Sequence, residues 1–381
     1  MADLVRKITL WRIVVPVIFA AGLYGCYLRF FKGFSAATNL SDAQPWGFWV
    51  GGATLCGIGL SAGGFAIATA VYLLGMECYR PLARVSVLIA LLGYGSVGVG
   101  YAYELGLPWR FYYPLLLYRN THSILFDVAM CVISYTTVLV LEFAPQVLEK
   151  LPWPGVRAKL LHWHHKIVIV LVIVGTLLSS MHQSFLGGLF LIMKGHIYPL
   201  WYSPYIHTMF YMTAIPSGLC MVIIAVHLSV RSFRVRFDYD LLSDLAKVAA
   251  PMLAIYGVFR IANLLVYGGY QYLFLWRMET WHFWLENFLL IVIPVIALSS
   301  GKVRRTPSLL FWTSCVEVIG FIANRWNVSV VAMEATSAAN YVPKWPEIMI
   351  TAMVIAGAVV IFRLCVIHLD VFPRREEVLA A

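Results

Sequence analysis

Charge is scarce in this chain: Asp, Glu, Lys and Arg make up only 12% of its 381 residues, about half the share of an average soluble domain. No stretch is polar enough to serve as a water-soluble domain. Cysteine is sparse and unpatterned. Cys26, Cys56, Cys78, Cys131, Cys220, Cys315 and Cys365 never form C-x-x-C, which excludes the usual cysteine-built iron-sulfur motifs and C-x-x-C-H haem attachment. Burial as small apolar side chains is the expectation for all seven. Despite a net charge of +10, no Lys/Arg run with interleaved aromatics occurs, so nucleic acid is not an expected partner. Nor is there an obvious internal repeat or a Gly/Pro-broken helix pair, which argues against a transporter. The first apolar segment lacks a small-residue cleavage site and reads as a retained helix.

What is present in excess is apolar surface, at 61% of residues. A bilayer core needs about 20 apolar residues per helix. Windows of that length occur at 10–31, 48–74, 85–105, 121–142, 167–190, 207–230, 248–267, 282–299, 308–325 and 347–369. The expected fold is an all-α polytopic membrane protein of about ten transmembrane helices. With the N-terminus inside, alternate loops collect most of the basic residues, among them Arg6, Lys7, Arg80, Arg84, Lys150, Arg157, Arg231, Arg234, Arg236, Lys302, Arg304, Arg305, Arg363, Arg374 and Arg375. Arg29, Arg110, Arg119 and Arg325 fall on the other side. By the positive-inside rule both termini face the cytoplasm.

An ionisable side chain inside lipid costs several kcal/mol unless paired or hydrated, so each one is a candidate functional residue. On this topology they gather at the outer side. Asn120, Ser123 and Asp127 are spaced to share a helix face, and His182, with Gln183, lies at a similar depth on the next span. Glu104, Arg110 and the Asp42, Pro45, Trp46, Trp49 loop lie on that side too. A second set comprises Arg260 and Asn263 with His282 and Glu286, where Arg260 and Glu286 are deep enough to pair. Glu142 and Glu317 could extend a proton path toward the cytoplasm. Gly57, Ser61, Gly64 and Ala68, and Ser96 with Gly100, are spaced for close helix packing.

A quinone headgroup needs hydrogen-bonding partners for two carbonyl oxygens, a proton source and an apolar slot. The outer cluster supplies these, with His182 on a carbonyl and Asp127 or Glu104 replacing its proton. Electrons must then come from a partner. Haem b is the competing reading, because ten histidines are present. Most fail on position: His162, His164 and His165 fall in a cytoplasmic loop, His227 and His368 near inner ends, and His122, His196, His207 and His282 near outer ends. Only His182 is clearly within a helix core.

The stretches PWGFW (45–49), GLSAGGFA (59–66), YELGLPWRF (103–111), NTHSILFD (120–127), LEFAP (141–145), MHQSFLGGL (181–189), YPLW (198–201) and YVPKWPEI (341–348) resemble the NrfD/PsrC superfamily, and its HybB-type branch most. That resemblance implies a membrane subunit of the kind found in hydrogenase, Qrc-like or Hmc-like complexes. It implies one membrane domain over 1–381, with four-helix bundles at 10–142 and 167–299 and two additional helices at 308–369. It also implies the quinone-binding subunit of an oxidoreductase, in a bacterial inner membrane among membrane lipid, without haem or iron-sulfur cluster of its own. Electrons would pass between menaquinone, at a periplasmic-side site, and a periplasmic ferredoxin-like iron-sulfur subunit, itself served by a further catalytic subunit or multihaem cytochrome c.

The site would comprise His182, Asp127 and Glu104 as reacting acids and bases. Gln183, Ser123, Asn120, Trp46 and Arg110 would surround the quinone. A proton path would run through Asp127, Glu142, Arg260, Glu286 and Glu317. Glu104 stands where the family usually has aspartate, and Asp127 where the hydrogenase branch has glutamate. Quinol oxidation in the opposite direction, and a b-type cytochrome, remain open at this point. Reporter fusions test the orientation: alkaline phosphatase joined after Tyr118 should be active and a fluorescent protein joined after Ala381 should fluoresce, and the reverse pattern would invert the topology.

Overall fold

The computed structural model describes residues 2–235, 237–337 and 340–372, with side chains from residue 11 onward. Arg236, Arg374 and Arg375 and the side chains of Arg6 and Lys7, assigned above to the cytoplasmic side, lie outside the described residues. Among the described residues ten helices are long and apolar enough to cross a membrane: α1 (Trp11–Lys32), α2 (Trp49–Tyr72), α3 (Glu77–Glu104), α4 (Ile124–Leu148), α5 (Pro154–Gly188), α6 (Ile206–Phe233), α7 (Tyr239–Val266), α8 (Met278–Ser299), α9 (Pro307–Ser337) and α10 (Trp345–His368). Among the described residues no β-strand forms, only an isolated bridge between Ser41 and Gln44. A lipid-facing backbone must satisfy its own polar groups, and helices do so within each segment.

Several helices outrun their apolar windows. The α5 helix starts at Pro154, so His162, His164 and His165 lie on its first turns and not in a loop as expected. Hydropathy reports contact with lipid, whereas Pro154 at the first turn and the following good helix formers decide where the helix begins. The α9 helix continues to Ser337, through a π-helical turn at Asn327–Val331. Arg325, expected outside, is therefore inside the helix and only 1% exposed.

Because successive helices reverse direction, the loops 33–48, 105–123, 189–205 and 267–277 share one end with residues 340–344. The tight connections 73–76, 149–153 and 300–306 share the other. We call these the wide-loop and tight-loop ends. Side by side, α2, α3, α4 and α5 close one four-helix ring and α6, α7, α8 and α9 a second, while α1 pairs with α10 and leans on α3. The grouping expected at 10–142, 167–299 and 308–369 is thus displaced by one helix. The cause is local: Gly22 and Gly25 let α1 seat directly on Met353 and Ile350 of α10.

The two rings meet where α2 crosses α6. A Cβ added at Gly218 would stand 2.1 Å from the backbone nitrogen of Gly63, and one at Gly63 2.4 Å from the carbonyl oxygen of Gly218. Such backbone contact is a common way for helices to associate in lipid, where no hydrophobic drive separates them from their surroundings. Gly218→Ala should lower thermal stability by about 1–3 kcal/mol through overpacking, read as an earlier unfolding midpoint in detergent. Gly95→Ala, with nothing within 4 Å of the added Cβ, should leave it unchanged.

Candidate functional site

Inside the first ring, His182 of α5 is fully buried. Its Nδ1 lies 3.1 Å from the hydroxyl of Tyr94 on α3, and the two rings meet edge to face at 5.4 Å. Tyr94 in turn abuts Tyr135 of α4, centroids 4.6 Å apart, and the Ser179 hydroxyl lies beside both phenols. Helical spacing builds this: Gly175, Ser179 and His182 share one face of α5, and Cys131, Tyr135 and Glu142 one face of α4. At the tight-loop side of the file, a Cβ on Gly175 would sit 3.3 Å from Oε1 of Glu142. At the wide-loop side stand Glu104 and, beside it, Tyr101.

The polar atoms here are not saturated. His182 Nε2, Tyr135 Oη, Ser179 Oγ and Glu104 Oε2 are buried with no hydrogen-bond partner in the protein. Leaving such a group unpaired costs about 1–3 kcal/mol. Those of His182, Tyr135 and Ser179 cluster around one Tyr–His pair, as a site for a polar ligand or a proton-carrying water would, while Glu104 lies about 15 Å farther along α3.

The expected outer cluster is only partly assembled. Asn120 is exposed in the loop before α4, its Oδ1 accepting from the His122 amide at 3.2 Å. Because α4 begins at Ile124, Asn120, Ser123 and Asp127 do not share a helix face. Ser123 instead accepts at its carbonyl from the amides of Phe126 and Asp127, at 3.0 and 3.1 Å. Asp127, half-buried, lies one turn from Cys131 on the α4 face that carries Tyr135. Gln183 Nε2 donates to the Ile58 carbonyl at 2.9 Å, joining α5 to α2. Trp46 packs edge-on against Phe190 at 5.2 Å. Arg110 is exposed over the ring of Tyr113 at 5.3 Å, and no ion pair joins it to Glu104 among the described residues.

The second ring holds a different arrangement. Arg260 Nη2 and Glu286 Oε1 pair at 2.5 Å with both side chains buried, as their depths suggested. Arg260 also donates to Tyr256 Oη at 2.6 Å. Glu286 accepts further from Trp201 Nε1 at 3.0 Å, Asn324 Nδ2 at 3.0 Å and Asn327 Nδ2 at 2.5 Å. Arg325 has no carboxylate partner among the described residues. It is sandwiched by Phe210 and Phe321 at 3.8 and 4.3 Å and donates to Asn324 Oδ1, Phe210 O and Thr213 Oγ1 at 2.7, 3.1 and 2.8 Å. Deeper toward the tight-loop end, Glu317 accepts from Ser217 at 2.6 Å.

Sequence reasoning missed Tyr94, Tyr135, Arg325, Asn324 and Asn327. The two tyrosines carried a usable signal, since they sit mid-span, away from the interfacial belt where Tyr normally lies. Also missed was the wide-loop latch around Glu347, which is fully buried. Glu347 accepts from the Lys344 amide at 2.9 Å, the Asn39 amide at 3.3 Å and the Tyr341 hydroxyl, and Tyr341 accepts from the Phe48 amide at 2.8 Å. Gly47 of the PWGFW stretch makes room, because a Cβ there would meet Tyr341 Cζ at 2.3 Å. Of the cysteines, Cys56, Cys131 and Cys220 are buried as expected. Cys78 is exposed, because it sits in the opening 3-10 turn of α3 at the tight-loop end.

Residues 36–335 match the family described as polysulphide reductase, NrfD, and the chain belongs to this family. It is 34% identical to a protein of Nitratidesulfovibrio vulgaris over 92% of this chain and 91% of the relative. A probable Ni/Fe-hydrogenase 2 b-type cytochrome subunit of Escherichia coli is 30% identical, over 91% of each. The menaquinone reductase integral membrane subunit of N. vulgaris is 26% identical, over 97% of this chain and 93% of that one.

Haem b, which the hydrogenase relative's name carries, commonly asks for two histidines at one depth. The buried histidines here are His182 and His227. His182 lies near the wide-loop end of α5 and His227 near the tight-loop end of α6, roughly 20 Å apart in depth at 1.5 Å per residue. Each already engages a tyrosine hydroxyl through Nδ1, at 3.1 Å. These residues do not fit a shared iron. Among the described residues no group of three or more His, Cys, Asp or Glu is placed to hold a metal ion.

Removing one partner of a buried ion pair leaves an uncompensated charge in lipid. Arg260→Ala should therefore cost about 3–5 kcal/mol of stability, read from thermal unfolding of the detergent-purified chain. Arg260→Met with Glu286→Leu should recover most of it, and equal loss in the double variant would contradict a pairing role.

Proposed function

We propose that this chain is the quinone-reactive membrane subunit of a respiratory oxidoreductase complex, and that the His182–Tyr94 pair is where a quinone headgroup engages the protein. The observation that carries this reading is the set of unpaired buried atoms around that pair. Family membership and the menaquinone reductase relative support it.

With the Tyr94 hydroxyl donating to Nδ1, His182 presents Nε2–H to a quinone carbonyl. Reduction to quinol takes two electrons and two protons. The electrons arrive from an iron-sulfur partner seated on the wide-loop end, whose poverty in basic residues supports a periplasmic location. Proton transfer falls to side chains of the first ring. His182 passes a proton to the carbonyl oxygen and recovers it through Tyr94, and Ser179 and Tyr135 link that pair toward Glu142 at the tight-loop side. Glu104 and Asp127 offer the shorter route to the wide-loop side. The expected path through Arg260 and Glu286 is revised: five hydrogen bonds hold those two charges in place, so we assign them to support, leaving Glu317 as the acid of that ring with an unpaired oxygen. The same residues run quinol oxidation in reverse.

The test uses the purified chain. Menaquinone-analogue quenching of its tryptophan fluorescence should be strong in the wild type and lost in His182→Ala, with a featureless visible spectrum and no stoichiometric iron. In membranes holding the assembled complex, His182→Ala should lower quinone turnover by about 10²-fold, the usual scale of a lost acid-base group. Unchanged quenching would remove His182 from the site, and a reduced Soret band with stoichiometric iron would make the chain a cytochrome.

A further inference from the structure

A large cleft lies outside both rings. A cleft of about 1240 Å³ separates the α1/α10 pair from α2, α3, α6 and α9, more than the ~300–1,000 Å³ of an ordinary small-molecule pocket. Its walls run most of the membrane thickness: along α10 they extend from Ile350 to Ile367, about 25 Å at the helical rise. They are mainly apolar. Ser96 and Gly100, spaced for helix packing, face this cleft instead, and Gly100 has nothing within 4 Å of a built Cβ.

The cleft is asymmetric in charge. Its wide-loop part is walled by Trp49, Tyr103 and Ile350, whereas Arg12, Arg231 and Arg363 line it at the tight-loop end. All three arginines are exposed, and no ion pair or hydrogen bond engages any of them among the described residues. Besides the Glu347 latch at the wide-loop end, the α1/α10 pair is fastened along its α3 edge. At the wide-loop end Arg29 donates to the carbonyls of Tyr103 and Leu105 at 2.6 Å each. At the tight-loop end Arg84 and Lys150 hold Asp370, each at 2.9 Å. Against α6 and α9 the pair stands off, which leaves room for an apolar occupant at least as long as one bilayer leaflet.

We infer that this cleft is a binding site for an anionic diacyl phospholipid, its acyl chains along α6 and α10 and its phosphate on Arg12, Arg231 and Arg363. An apolar slot open to the membrane with unpaired arginines at one mouth is the chemistry that retains acidic headgroups between helices, and the guanidinium fork suits a phosphate. Free phosphate could use the arginines but not the slot. The lipid would wedge α1/α10 at a fixed distance from the rings, and the site stands independently of the quinone reading.

The experiment is native mass spectrometry of the full chain, delipidated in detergent and titrated with dioleoyl phosphatidylglycerol or dioleoyl phosphatidylcholine. One tightly held phosphatidylglycerol is expected, with phosphatidylcholine at least tenfold weaker. Replacing Arg12, Arg231 and Arg363 together by Gln should weaken retention by roughly tenfold or more. Ala358→Trp, which fills the cleft and spares the arginines, should also abolish it and decides the matter if the triple variant does not fold. Equal retention of the two lipids, retention unaffected by either variant, or displacement of the lipid by menaquinone at equal stoichiometry would overturn the proposal.

Discussion

Glu286 is a fully buried carboxylate, and the second ring is organised around satisfying it. In hydrocarbon an unpaired charge is untenable, so every lone pair must find a donor inside the protein. Arg260 from α7, Asn324 and Asn327 from α9 and Trp201 from the 189–205 loop supply those donors. One side chain thereby fixes three helices and the wide loop to each other. Asn324 and Asn327, three residues apart, reach Glu286 from one face of α9, and the π-helical turn Asn327–Val331 begins at the second of them.

The first ring obeys the same constraint differently. Its buried acceptors and donors are close together but unpaired at His182, Tyr135 and Ser179, with Glu104 unpaired nearer the wide-loop end. Where one ring has spent most of its hydrogen-bonding capacity on holding shape, the other keeps capacity free around the Tyr94–His182 pair, the condition for the proton exchange we propose. Gly63 and Gly218 bring the two within backbone contact, so the rigid ring can position the reactive one.

Much of this was legible in the sequence because lipid imposes simple rules. Ten apolar windows became ten helices, and His182 proved buried because a mid-span histidine has few other places to be. The Arg260–Glu286 pair was readable from depth alone. What escaped depended on side-chain partners. Arg325 read as a loop residue because hydropathy cannot register two phenylalanine faces and three oxygens waiting for a guanidinium. The bundle boundary slipped by one helix because α1 pairs with the far end of the chain, a contact no local pattern encodes. Asn120 and Ser123 looked helical only because their spacing was right, whereas α4 starts after them.

The most direct test of the account is photolabelling of the full chain in nanodiscs with an azido-substituted menaquinone, followed by peptide mapping. The account predicts headgroup label on peptides from α3, α4 and α5 around Tyr94, Tyr135 and His182, lost when excess menaquinone competes. Competable label confined to α6–α9, or to the α1/α10 cleft, would contradict it.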